Sequence, residues 1–128
     1  MMRQFLRCKI HRATVTEANV EYEGSITIDR HLMNAAGLLP YEKVEVYNVT
    51  SGTRFETYVI EGEPGRGDIC VNGAAAHLVS PGEKVIIACY CFLHEGQILN
   101  HRPKLVFVDE KNQARTVREA EMPNMVTV

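Results

Sequence analysis

The sequence predicts a mainly β protein with two short helices, and three observations carry that expectation. Runs rich in Val, Ile, Thr and Tyr recur along nearly the whole chain. Clusters of Gly, Pro, Asn and Asp separate them, as turns require. Only two stretches, opened by Asp29 and by Asn72, read as helix.

The first expected strand covers residues 4–16, and a short one follows at 26–28. Asp29 then offers an N-cap carboxylate and Gly37 a left-handed stop, which frames the first helix. Strands are expected at 44–49 and 55–60, joined through Thr50-Ser51-Gly52, and at 69–71 after the turn of residues 63–68. The second helix begins at Asn72 and runs through Ala74-Ala75-Ala76. Strands at 85–93 and 104–108 complete the set, and the tail from Gln113 to Val128 shows no clear period and reads as peripheral. Ala35-Ala36 … Pro40 … Glu42-Lys43-Val44 parallels Ala75-Ala76 … Pro81 … Glu83-Lys84-Val85, with one insertion. Either helix-to-strand turns reuse one chemistry, or the chain is a small barrel of two related halves. Closure would remove the strand edges that such a chain must otherwise protect.

A chain of 128 residues fits one domain with its own core. A net charge of −2 and the absence of a basic run argue against a nucleic-acid partner. No stretch approaches the roughly 18 apolar residues of a membrane span, so no membrane partner is expected. The start, Met1-Met2-Arg3-Gln4-Phe5-Leu6-Arg7, lacks the apolar run of a signal peptide, and a cytoplasmic protein is expected. Cys8, Cys70, Cys89 and Cys91 fit that compartment as free thiols in strands. They show no paired C-x-C spacing for a metal, nor do the histidines.

Gly24-Ser25 carries the most specific chemistry, because a serine can break the peptide bond before it. The Ser25 hydroxyl can attack the Gly24 carbonyl and turn the amide into an ester. Loss of the Ser25 α-hydrogen then leaves dehydroalanine, which hydrolyses to a pyruvoyl group, an electrophile that other enzymes borrow from pyridoxal phosphate. Glycine leaves that carbonyl open and tolerates strained backbone angles. Lys9 and His11 share one strand face, either to orient the hydroxyl or bind an anion, or as solvated surface groups. Arg54 offers a guanidinium for a carboxylate and Tyr58 a phenol for proton transfer; the same run also reads as an edge strand with one polar face. Thr57 points to the other face, so a site using all three needs a bulge or a wrapped strand. Asn72 with Gly73, Ala74, Ala75 and Ala76 can present backbone N–H groups to an anion, or form a capped, packed helix.

These pieces together resemble the aspartate 1-decarboxylase family of pyruvoyl enzymes. Lys9-Ile10-His11-Arg12, Tyr22-Glu23-Gly24-Ser25, Ile28-Asp29, Asn48-Val49-Thr50, the run from Gly52 to Tyr58 and Val71-Asn72-Gly73-Ala74-Ala75-Ala76-His77 follow that family's order and spacing across roughly residues 1 to 108. The resemblance implies a six-stranded double-psi β-barrel with short helices. It implies one domain, 1–128, self-cleaved into 1–24 and 25–128, in a homotetramer with sites between adjacent subunits. By that resemblance Ser25 becomes a covalently bound pyruvoyl group, with neither metal nor pyridoxal phosphate, and holds the amine of L-aspartate as a Schiff base. Gly24 becomes a new C-terminus, and Thr57 bonds the Gly24 carbonyl during processing and lies at the substrate. Arg54 binds a substrate carboxylate, Lys9 and His11 line the site and act in processing, Tyr58 returns the proton, and Asn72 with Gly73 to Ala76 line the pocket. The products are β-alanine and CO2, a step toward pantothenate and coenzyme A. A maturation factor, as some relatives use, is a further partner. Tyr47 departs from the Trp of many relatives. Two other readings stay open: an unprocessed ligand-binding module, and a hydrolase whose Ser25 remains a serine.

Overall fold

The computed structural model describes residues 1–123; the end of the tail, 124–128, lies outside the described residues. Nine strands form in the order β1 Met2–Thr14, β2 Glu17–Asn19, β3 Ser25–Asp29, β4 Lys43–Asn48, β5 Arg54–Gly62, β6 Ile69–Asn72, β7 Lys84–His94, β8 Lys104–Val108 and β9 Ala114–Arg118. Helix α1 spans Arg30–Ala36, α2 spans Glu95–Ile98, and a 3₁₀ turn covers Gly73–Leu78. The mainly β expectation is met, and each of the seven expected strands lies within about two residues of its place.

The strands hydrogen-bond in the order β2-β6-β3-β5-β4-β7-β1-β8-β9. Three neighbours run parallel: β1 with β8, β2 with β6, and β3 with β5. This mixture gives a barrel-like body in which β3 and β5, both parallel and antiparallel to neighbours, are held on two sides. Among the described residues no further ladder joins β2 to β9. Strand ends are tied instead by single bonds, Thr16 N to the Ile69 carbonyl at 2.8 Å and Val15 N to the Glu83 carbonyl at 2.9 Å. The core is aliphatic. Ile10, Ile26, Ile28, Val46, Val59, Ile69, Val71 and Ile87 are shut from solvent, each at alternate positions of its strand.

The repeated segment has a physical basis. Glu42 accepts the Leu39 N–H at 3.0 Å, and Glu83 accepts the Ser80 N–H at 2.7 Å. Each carboxylate thus closes the same three-residue turn and launches a strand; the strands, β4 and β7, pair with Val46 opposite Ile87. Three elements were not foreseen: β2, α2 and β9. The tail is less peripheral than expected, since β9 pairs with β8 and Glu121 reaches Lys9 at 3.0 Å. All four cysteines are free, three of them buried. Cys8 and Cys89, distant in sequence, face each other across the β1–β7 ladder.

Candidate active site

Ser25 opens β3 and is buried, with 2 % of its surface exposed. Its φ is +147°, a region that side chains rarely enter and that glycine normally occupies. The strain sits on the residue whose peptide bond the sequence marks for cleavage. Gly24, just before it, has free space where a side chain would stand, so the Gly24–Ser25 peptide is open on that side. The other side is tightly covered. Gly73 has φ +71°, and a Cβ there would come within 2.7 Å of the Gly24 Cα. Only glycine lets the 3₁₀ turn press so closely on the Gly24 backbone.

Asn72 is the residue that faces Ser25 directly. The two are opposite each other in the β3–β6 ladder, and the Asn72 Nδ2 donates to Ser25 Oγ at 3.0 Å and to Thr27 Oγ1 at 3.2 Å. The expected cap is absent, for Asn72 makes no side-chain bond to the 3₁₀ turn that follows it. That turn is also too short and tight to be an α-helix. The amide serves the serine instead. Its Oδ1 accepts from the Cys70 thiol at 3.1 Å, whose sulfur also lies 3.4 Å from Glu17 Oε2. Burial, with the Glu17 carboxylate second, pushes the Cys70 thiol up to about 12.

Ser25 stands in an open cleft of about 620 Å³ that also takes in Tyr22, Tyr41, Tyr58, Arg66 and Asp68. Tyr58 therefore shares the cleft with Ser25, its ring stacked on Tyr41 at 6.2 Å. The β4–β5 register is unbroken from Lys43–Tyr58 to Tyr47–Arg54, so no bulge brings Thr57 to the face of Arg54 and Tyr58. Thr57 is half-buried on the opposite face. Ala74 is exposed and Ala75 half-buried, while Gly73 and Ala76 are buried.

Lys9, His11 and Arg54 do not line the Ser25 cleft of the single chain. Lys9 and His11 belong to a smaller recess of about 100 Å³ with Phe107 and Glu121, on β1 and β8. Burial pushes the His11 imidazole down from its ordinary value, and the Lys9 and Arg12 cations push the same way, which favours the neutral ring. Arg54 lies over the Tyr47 ring, 4.6 Å from its centre, a cation–π contact. Tyr47 thus still supplies an aromatic face where many relatives carry Trp. Its phenol bonds Tyr90 at 2.9 Å, and burial with that contact pushes it up.

Sequence reading gave no role to Glu17, Thr27 or Cys70. The signal was present in one form: Cys70 and Asn72 alternate along a strand whose other side chains are Ile69 and Val71, so they share the face turned to Ser25 and Thr27.

Comparison with known proteins agrees with this geometry. The family model described as aspartate decarboxylase matches residues 1–115. A protein of Caldicellulosiruptor saccharolyticus is 60 % identical over 113 residues, 88 % of either chain. One of Caldicellulosiruptor bescii is 55 % identical over 121 residues, 94 % of either chain. One of Legionella pneumophila strain Lens is 57 % identical over 116 residues, 91 % of this chain and 87 % of its own. All three are named aspartate 1-decarboxylase. The chain described here belongs to the aspartate decarboxylase family.

Proposed function

We propose that the chain cleaves itself between Gly24 and Ser25 and then converts L-aspartate to β-alanine and CO2, a step of pantothenate biosynthesis. The observation that carries this reading is Ser25 itself, buried at φ +147° beside an open-faced Gly24. Strain in that peptide lowers the cost of leaving planarity as Ser25 Oγ adds to the Gly24 carbonyl carbon. The amide C–N bond then breaks, the hydroxyl proton ends on the freed nitrogen, and elimination and hydrolysis release ammonia. Once formed, the pyruvoyl group supplies an electron-accepting carbonyl for decarboxylation.

The remaining residues bind and move protons. Tyr58, in the same cleft, returns a proton to the substrate carbon. Arg54, held flat by Tyr47, takes a substrate carboxylate, while Lys9 and a neutral His11 line the site. Asn72 and the Gly73–Ala76 backbone form its wall, and Thr57 acts on the Gly24 carbonyl during processing. The distance of Lys9, His11 and Arg54 from the Ser25 cleft of one chain supports a site completed by an adjacent subunit, hence a homotetramer. Among the described residues no helix is long and apolar enough to cross a membrane.

Intact mass of purified protein tests the reading. Fragments 1–24 and 25–128 are expected, the second with a blocked N-terminus, together with β-alanine formation from L-aspartate. A single 128-residue species that persists after long warm incubation, with and without cell extract to supply a maturation factor, would overturn it.

A further inference from the structure

The Asn72 side chain can sit in two orientations, and they are chemically opposite. As described, Nδ2 donates to Ser25 Oγ and Thr27 Oγ1. Turned over, it would offer an acceptor to both. Neither hydroxyl decides between them, because each can donate or accept. Cys70 can decide, since it lies on the far side of the amide, 3.1 Å from Oδ1. A thiol has one proton. Its other acceptor, Glu17 Oε2, is further away at 3.4 Å, so the shorter contact to Asn72 takes it.

We infer that Cys70 is a positioning residue for self-cleavage: by donating to Asn72 Oδ1 it keeps Nδ2 on Ser25 Oγ. The inference rests on the proposed cleavage at Gly24–Ser25. With the thiol raised to about 12 by burial and by Glu17, the donor persists across the working pH range. An N–H aimed at Oγ stabilises that oxygen as it gives up its proton and closes on the Gly24 carbonyl. The reversed amide would instead hold the hydroxyl proton and leave the developing charge unaided.

The experiment follows cleavage of freshly translated chain by intact mass, with thermal midpoints measured in a Ser25→Ala background that cannot cleave. Cys70→Ala should cleave about tenfold slower, the worth of one hydrogen bond. Cys70→Val, which fills the volume without a donor, should be as slow. Cys70→Ser restores a donor and should stay within about threefold of the unchanged chain. In an Asn72→Ala background, Cys70→Ala should add nothing further. A merely structural thiol predicts that Ala and Ser behave alike and that rates follow the midpoints. The inference is overturned if Cys70→Ala or Cys70→Val cleaves at the normal rate, if Cys70→Ser is as slow as Cys70→Ala, or if the Asn72→Ala background leaves the Cys70 effect intact. An unchanged chain that never cleaves overturns the proposed function and this inference with it; normal cleavage with no Cys70 effect overturns the inference alone.

Discussion

The two ends of β3 are five residues apart and are built on opposite plans. At its C-terminal end Asp29 is buried, and its carboxylate accepts the N–H groups of His31, Gly65 and Gly67 at 2.8, 3.0 and 2.6 Å. Burial pushes that carboxyl up, yet the three backbone donors outweigh it and hold it below its ordinary value. At the N-terminal end Ser25 is equally buried, but its backbone is strained and its hydroxyl is met by one amide. A buried polar group with every lone pair answered is an anchor. The strained end is where the chain can react, and the anchored end keeps the strand still while it does.

Ser25→Ala tests the reactive end most sharply. It removes the attacking oxygen and little volume, so cleavage and decarboxylation should both vanish while the thermal midpoint hardly moves; any β-alanine above background would break the assignment. Tyr58→Phe asks whether the strained end serves cleavage alone. Two fragments should still appear, with turnover of aspartate down by ~10²–10⁴-fold, the usual loss of a positioned acid. A block in cleavage would show the phenol acting earlier.

The anchored end should respond in stability instead. Asp29→Ala leaves three buried N–H groups without their acceptor, at a cost of about 3 kcal/mol and a midpoint lower by roughly 10 °C. Molecules that fold should still cleave within a few-fold of the normal rate. The carboxyl is held below its unfolded value, so its stabilisation is complete above about pH 4 and fades as pH falls through the folded value. The gap in midpoint between Asp29→Ala and the unchanged chain should accordingly close in acid; a gap constant from pH 7 to pH 3 would break this account. Gly73→Ala should have the smallest effect, about 1–2 kcal/mol from φ +71°, with cleavage slowed several-fold as Gly24 is pushed aside. Unchanged cleavage would mean that the close contact does not set the scissile geometry.

How much of this was legible beforehand differs between the two ends. Asp29 as a cap and Gly37 as a stop follow from local rules, and both hold, with Gly37 at φ +78°. Strand positions were legible for the same reason, since alternation is a local signal. β9 was not, because residues 114–118 carry four exposed side chains in five and owe their form to pairing with β8. At the reactive end Ser25 and Asn72 were named from the order of motifs, but what Asn72 does was misread as capping. Its real partners, Ser25, Thr27 and Cys70, are set by cross-strand register, which no local pattern encodes. The placement of Lys9, His11 and Arg54 away from the cleft was hidden likewise, as it depends on the sheet order.

The long first strand gives a cut chain an unusual thermodynamic character. β1 lies inside the sheet, paired with β7 on one side and β8 on the other. Fragment 1–24 would therefore stay woven into the body after the bond before Ser25 is broken. Native and nicked molecules would look alike by size and shape, yet they would melt by different laws. The uncut chain unfolds as one molecule; the cut one comes apart into two, so its melting temperature should climb with protein concentration.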